Sequence, residues 1–461
     1  MQNLSNFLNI KRIYFIGIGG VSLSALASIM YYNGMIVAGS DVVNSETTEK
    51  LKKLGIKIFK GHHLKNIKNF NPDFVVFTGA ISQNNEELMF CKNNNIVVLE
   101  RADFINKILP YYNHVISIAG THGKTTTTSM ISEVFCECGL NPTVHIGGES
   151  VNLNSNFINA SNEYFITEAC EYRKSFLKFN SDIGVILNVE EDHPDSYKNL
   201  SEIQNAFLDF SKICKKVVIN ENYSNIFKDG QKNNVITFGT NNADFFVKNV
   251  RKLTSGGYSF SVFKNQEFYG RFKIRIFGKH NILNAVATIA VCDEFGIEKK
   301  YIKNALNNFS GVKRRFEKVK TSVFDGEVYF DYAHHPTEIK KLISEVGCLN
   351  KPIICIFQPH TYSRTKKYFE NFLTSFNGTY QTIFYKTYKA REAKIKGADA
   401  KDLYKHLKQS ANVFYYKSFK KIIKHLKKYS KPNCVVLFVG AGDIYNIKKI
   451  IETKWKKSLS K

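Results

Sequence analysis

The run HVISIAGTHGKTTTTSMISEVFCECG, from His114 to Gly139, reads as an apolar strand, a glycine turn and a helix. Within it, Gly120, Thr121, His122, Gly123, Lys124, Thr125 and Thr126 have the composition of a phosphate loop. Glycines let backbone N–H groups approach phosphate oxygens with no Cβ in the way, and a helix N-terminus adds partial positive charge. Lys124 is suited to neutralise the β- and γ-phosphates of ATP, and the Thr125 hydroxyl to ligate Mg2+. The longer GxxxxGKS/T spacing needs glycine at 118, where Ile118 stands, so this loop is a shortened one. Lys124 is expected to supply a ligand contact and little packing.

The same order opens the chain at RIYFIGIGGVSLSALASIMYYNG, residues 12–34. Ser22 stands where a dinucleotide fingerprint has its third glycine, and Asp41 ends a second strand about 20 residues on, where ribose hydroxyls are read. Such a loop suits NAD, and equally any nucleotide diphosphate resting on a helix N-terminus. Two nucleotide-type loops point to two nucleotide ligands, or to ATP plus a nucleotide-linked substrate.

Strands alternate with helical patterns along the 461 residues, which predicts βαβ units and parallel sheets. The pattern restarts near residues 108 and 314, dividing the chain into 1–107, 108–314 and 315–461. From Asp244 to Ile276, alternating polar and aromatic residues predict antiparallel strands instead. No apolar run approaches the ~18–20 residues of a membrane helix, and Met1 to Ile10 lack the basic-then-apolar order of a secretory signal. The nine cysteines show no zinc spacing, which suits reduced thiols in a reducing cytoplasm. Lys and Arg number 65 against 40 Asp and Glu, a formal charge of +25. The lysines are dispersed and no arginine-rich tract occurs, so the excess reads as a solvated surface and not as a nucleic-acid footprint.

Acidic and histidine residues gather at the predicted strand ends, which in α/β sheets converge on the ligand crevice. Glu168 and Glu171 follow YFIT, while Asn188, Glu190, Asp192 and His193 follow DIGVIL; a carboxylate and an imidazole there suit a second Mg2+ beside the γ-phosphate. Asp331, His334 and His335 follow EVYF, and His360 and Arg364 follow IICIF. Arg314, Arg315 and Arg364 are natural anion clamps.

Together these segments resemble the Mur ligase family of peptidoglycan synthesis over nearly the whole chain. The resemblance rests on GIGGVSLSALA, VAGSD, Gly61-His62, GTHGKTTTT, TEACEYRKSFL, NVEEDH, GKHNILNAVA, GVKRRFE, DYAHHPTEI, QPHTYSRT and VGAGDI. The pair DYAHHPTEI and QPHTYSRT marks the muramate branch. The resemblance implies an α/β chain of three domains: a Rossmann-like N-terminal domain for the UDP-sugar, a P-loop central ATPase domain, and a Rossmann-like C-terminal domain that closes over the site. It implies a cytoplasmic ligase acting on ATP, UDP-N-acetylmuramate and L-alanine with Mg2+, as a monomer or homodimer, with no nucleic-acid partner and no membrane insertion.

Residue by residue, it implies that Gly120 to Thr126 cradle the phosphates, and that Thr125, Glu171 and His193 serve Mg2+. Asn281 and His280 would face adenine, and Asp331 the ATP ribose. His335, His360 and Arg364 would line the amino-acid side, Arg314 or Arg315 the acyl phosphate, and Ser22, Asp41, His62 and Arg101 the UDP-sugar. Lys124, Glu171, His193, His335 and Arg364 are the implied catalytic set.

Three positions in two segments depart from the family pattern: Cys170 and Tyr172 flank Glu171 where many members carry acids, and Lys386 stands where an acid is expected. No lysine lies between Lys198 and Lys212, where other branches carry a carbamylated lysine, which agrees with the alanine-adding branch. Competing readings are a recycling ligase that takes a ready-made tripeptide, a basic nucleotide-gated binding protein, and an NAD-dependent oxidoreductase, the last disfavoured by the missing third glycine.

Overall fold

Short apolar strands lacking polar alternation need cover on both faces, and helices between them supply it. The computed structural model describes residues 4–191, 196–226, 234–254, 256–390, 392–409 and 412–452. These form two units, divided between Val312 and Lys313, with Phe277–Lys279 belonging to the second.

The first unit holds two sheets. One comprises β1 (Arg12–Ile16), β2 (Ile36–Asp41), β3 (Lys57–Lys60), β4 (Phe74–Phe77) and β5 (Val97–Glu100), all parallel in the order β3-β2-β1-β4-β5. The order reverses at β1, which opens a crevice at the end of that strand, where the glycine loop sits. The other comprises β6 (His114–Ala119), β7 (Thr143–Ser150), β8 (Ser155–Ile158), β9 (Tyr164–Glu168), β10 (Ser181–Ile186), β11 (Cys214–Asn220), β12 (Val235–Gly239), β13 (Phe245–Lys252), β14 (Tyr258–Lys264) and β15 (Glu267–Ile274). Its order is β15-β14-β13-β12-β11-β10-β6-β9-β7-β8. The strands from β7 to β13 in that order run parallel. The aromatic strands β13, β14 and β15 pair antiparallel, as their alternation predicts. One apolar core spans both sheets: Phe15 and Phe74 of the first cluster with Phe165 of the second, and the helical residues Phe104, Phe176 and Phe207 fill the space between.

The second unit is built on β16 (Glu317–Val319), β17 (Glu327–Asp331), β18 (Ile353–Phe357), β19 (Gln381–Tyr385), β20 (Val413–Tyr416) and β21 (Val435–Val439), in the order β16-β17-β21-β18-β19-β20. All pairs are parallel except β16–β17. All nine cysteines are free thiols. Among the described residues no helix is long and apolar enough to cross a membrane.

Candidate nucleotide and substrate site

The phosphate loop leaves β6 between β9 and β10 and enters the helix Lys124–Glu137. Gly120 (φ 140°) and Gly123 (φ 87°) have left-handed backbone that side chains resist. A Cβ on Gly123 would also lie 2.7 Å from Asn284 Oδ1. Asn188 shapes the turn: its Oδ1 accepts the His122 N–H at 2.7 Å, its Nδ2 donates to the His122 carbonyl at 3.0 Å, and its own carbonyl accepts from Thr121 N at 3.2 Å. Helices such as Glu46–Lys53, Glu86–Asn93 and Leu200–Lys212 are capped by the side chains of Ser45, Asn85 and Asn199. The helix at Lys124 is capped by Gly123 with no side-chain bond, the arrangement an anion-binding helix start needs.

Lys124 folds back over this loop. Its Nζ donates to the carbonyls of Gly120 and Thr121 and lies 2.8 Å from Glu171 Oε2. Burial opposes the charged ammonium, yet the adjoining Glu171 carboxylate outweighs it and holds the lysine above its ordinary range. The expectation of little packing is therefore corrected: Lys124 is half of a buried ion pair. Glu171 lies three residues beyond β9, its carbonyl accepting from Tyr197 Oη at 2.6 Å and from Lys174 N at 2.8 Å. Arg173 (φ 52°) and Lys174 (φ 55°), two and three residues after it, are both left-handed; strain of this kind gathers at functional sites. His193 and Asp192 lie outside the described residues. Asn281 is buried at the start of the helix His280–Glu294 and accepts from Asn284 Nδ2 at 3.0 Å, while His280 is exposed.

In the first sheet, the helix Val21–Tyr32 is again capped by a glycine, Gly20, without a side-chain bond. Asp41 braces the loop: Oδ2 accepts from Gly19 N at 2.9 Å and Oδ1 from Val43 N at 3.0 Å. Its carboxylate thus has a structural duty that the ribose assignment did not include. Ser22 Oγ meets His145 Nε2 at 2.8 Å and accepts from Arg101 Nη1 at 3.1 Å. His62 Nδ1 lies 2.8 Å from Ser40 Oγ, and both rest on Glu87. Glu87 is fully buried and also accepts from Tyr14 Oη at 2.9 Å and Asn66 Nδ2 at 2.9 Å. His145 and Glu87 belong to this constellation without having been marked by any motif, and Asn284, inside the GKHNILNAVA motif but given no role there, stands at the phosphate loop. Asn284 carried one usable signal, its place one turn after Asn281 on the same helix.

In the second unit, Asp331 ends β17 and accepts from Ala333 N and Phe316 N, both at 2.8 Å. Burial raises its pKa above the usual carboxylate range, opposed by the Arg315 charge and these two N–H bonds. His335 caps the helix Pro336–Gly347, its Nδ1 2.7 Å from Thr337 Oγ1. His334 and His360 rings meet at 5.9 Å, and His360 stacks on Tyr388 at 5.4 Å. Arg364 is buried in the helix Tyr362–Lys367, whose first N–H groups go to Glu392: Oε2 accepts from Tyr362 N at 2.6 Å and Ser363 N at 2.9 Å. Arg314 lies over Tyr332 and Tyr445 at 4.6 and 4.9 Å and donates to the Gly440 and Gly442 carbonyls. Lys386 lies 3.6 Å from Asp443.

Among the described residues, no three His, Cys, Asp or Glu side chains cluster as a metal cage. The donors at hand near the loop are hard oxygens, the Thr125 hydroxyl and the Glu171 carboxylate. Burial and the Glu171 charge raise the neighbouring Cys170 thiol above its ordinary range. This set fits Mg2+, which takes few protein ligands and keeps phosphate and water oxygens.

Three family models match: "Mur ligase family, catalytic domain" over residues 12–112, "Mur ligase middle domain" over 118–292 and "Mur ligase, glutamate ligase domain" over 314–442. A UDP-N-acetylmuramate–L-alanine ligase of Clostridium tetani is 42% identical over 95% of this chain and 96% of its own length. A ligase of the same name from Acetivibrio thermocellus is 40% identical over 95% and 94%. Among solved structures, the UDP-N-acetylmuramate–alanine ligase of Thermotoga maritima superposes with a TM-score of 0.83 at 28% identity, over 97% of this chain and 99% of that one. A murein peptide ligase of Psychrobacter arcticus shares the fold, with a TM-score of 0.74 at 22% identity over 96% and 98%.

Proposed function

Since this chain belongs to the Mur ligase family, we propose that it joins L-alanine to the carboxylate of UDP-N-acetylmuramate, cleaving ATP to ADP and phosphate, in peptidoglycan precursor synthesis. One observation carries the reading: a shortened phosphate loop whose lysine is held by Glu171, in a chain about 40% identical along its length to ligases bearing that name.

In this reading Gly120, Thr121, His122, Gly123, Lys124, Thr125 and Thr126 cradle the ATP phosphates, His280 and Asn281 take adenine, and Asp331 the ribose. Incoming phosphate oxygens draw Lys124 from Glu171. Ser22, Asp41, His62 and Arg101 hold the UDP-sugar. Thr125, Glu171 and, by the family pattern, His193 would hold Mg2+, which when bound supplies charge neutralisation at the phosphates. A carboxylate oxygen of the muramoyl group attacks the γ-phosphorus, the bond to the β–γ bridging oxygen breaks, and ADP leaves with that electron pair. The alanine amine then attacks the acyl-phosphate carbonyl; the C–O bond to phosphorus breaks and phosphate leaves with the former carboxylate oxygen, while the amine gives up a proton. The protein's part is positioning and charge stabilisation. His335, His360 and Arg364 serve the amino acid. Arg315 serves the acyl phosphate in preference to Arg314, whose guanidinium is already engaged by Gly440 and Gly442.

UDP-sugar binding is assigned to residues 1–107, ATP binding to 108–314 and the amino-acid side to 315–461. The need for ATP and the nine free thiols favour the cytoplasm. Incubation with ATP, Mg2+, UDP-N-acetylmuramate and either L-alanine or the tripeptide tests the reading. Phosphate release with alanine supports it; release with the tripeptide alone overturns it in favour of a recycling ligase. Oxygen-18 in the muramoyl carboxylate is expected in the released phosphate.

A further inference from the structure

His145 lies in β7 with 1% of its surface exposed and belongs to no motif in the chain. It is paired in register with Thr167 on β9, and its Nδ1 lies 2.9 Å from Thr167 Oγ1. Its Nε2 lies 2.8 Å from the Oγ of Ser22, which starts the helix after the first glycine loop. The partners are therefore a residue of the helix that follows β1 and a residue of β9. We propose that His145 is a positioning residue for the UDP-sugar, fixing the Ser22 hydroxyl and, through it, the Arg101 guanidinium, and tying the first glycine loop to the strand that leads to Glu168 and Glu171. The inference rests on the assignment of Ser22 and Arg101 to the UDP-sugar.

Donor chemistry orders this chain of bonds. A guanidinium only donates, so Ser22 Oγ accepts from Arg101 Nη1, while His145 Nε2 lies 2.8 Å from the same hydroxyl and 3.3 Å from the Ser22 carbonyl. On the other side of the ring, Nδ1 meets Thr167 Oγ1, whose hydroxyl also donates to the Glu168 carbonyl at 3.3 Å. Burial, with the Arg101 charge adding and a Ser22 backbone bond opposing, pushes the imidazole down to about 3, so it stays neutral in the working range. Two residues on, Gly147 N donates to Glu168 Oε1 at 2.6 Å, a second tie between β7 and the end of β9. An apolar side chain would fill the same space but leave the Ser22 rotamer, and with it Arg101, unspecified.

The test is steady-state kinetics of the whole chain with His145→Phe, His145→Gln, His145→Asn, Ser22→Ala and Arg101→Met. Loss of a hydrogen bond serving a charged group is worth about tenfold in affinity. His145→Phe is therefore expected to raise the KM for UDP-N-acetylmuramate about tenfold, with kcat and the KM for ATP within about twofold. A glutamine amide reaches the place of Nε2 and should return most of that KM; an asparagine amide reaches only the place of Nδ1 and should not. Equal behaviour of the two amides, or an unchanged KM in His145→Phe, overturns the inference. Should His145→Phe fail to fold, Ser22→Ala breaks the same link from its other end and must raise the same KM. If Arg101→Met raises the UDP-sugar KM while the His145 variants leave it alone, the inference fails and the site assignment stands. If Arg101→Met and Ser22→Ala both leave it alone, the assignment fails and takes the inference with it.

Discussion

Lys124 Nζ lies 2.8 Å from Glu171 Oε2, in a pair whose side chains are 14% and 3% exposed. Removing one member of a buried pair costs about 3–5 kcal/mol, because the other charge stays in a poorly solvating place. Lys124→Ala is thus expected to lose both turnover and stability, and Lys124→Ala with Glu171→Gln to recover most of the stability and none of the turnover. Urea unfolding beside phosphate release separates the two effects. Full stability in the single variant would contradict the pairing.

Glu171→Gln keeps the shape and removes the charge. The half-saturating Mg2+ concentration for phosphate release is expected to rise roughly tenfold or more. A Mg2+ titration that overlays the parent's would remove Glu171 from the metal site.

Glu133, on the helix that begins at Lys124, is pushed up to about 7 from 4.5 by burial, with the Ser150 hydroxyl bond opposing. The native chain therefore holds a proton that the unfolded chain releases at lower pH. Stability falls as pH rises from about 4.5 to about 7, by about 3 kcal/mol in all. Glu133→Gln still accepts from Ser150, so its thermal midpoint is expected to match the parent near pH 5 and exceed it by several degrees at pH 8. Equal shifts at both pH values would show that the carboxylate is not the cause. Glu87 has the opposite sign: burial works to raise it, but bonds from His62, Ser40, Asn66 and Tyr14 hold it below its usual range. Its contribution is present above the unfolded pKa and is lost as pH falls through the folded value.

Arg314 and Arg315 are adjacent and differ in duty. Arg314→Ala removes two bonds to backbone carbonyls and a place over two tyrosine rings. It is expected to destabilise the second unit by about 2–4 kcal/mol. Arg315→Ala, which takes a charge from beside buried Asp331 and a cation from the Tyr332 ring, is expected to cost only about 1–2 kcal/mol of stability while lowering phosphate release about 100-fold or more. Denaturation and turnover measured on both variants decide it; the reverse pattern would exchange the two roles.

The central strands and both glycine loops were legible because their signals are local: unbroken apolar runs for strands covered on two faces, and glycines where φ is positive. Edge strands were harder to see. Lys57–Lys60 reads KIFK and Val413–Tyr416 reads VFYY, short and only partly buried, so neither carries a strong periodicity. His335 was legible as a residue of a rare motif, but its bond to the first turn of its helix was not.

Local chemistry along the chain established which segments become strands, where a glycine–lysine turn opens a helix, and which residue types stand ready at the strand ends. Folding in space settled which of those side chains meet. Lys124 pairs with a residue 47 positions away, Tyr14 with Glu87 across 73, and Ser22 with His145 across 123. Such pairings depend on strand order and on burial that strips water from both partners, and neither is written in the spacing of neighbours along the backbone.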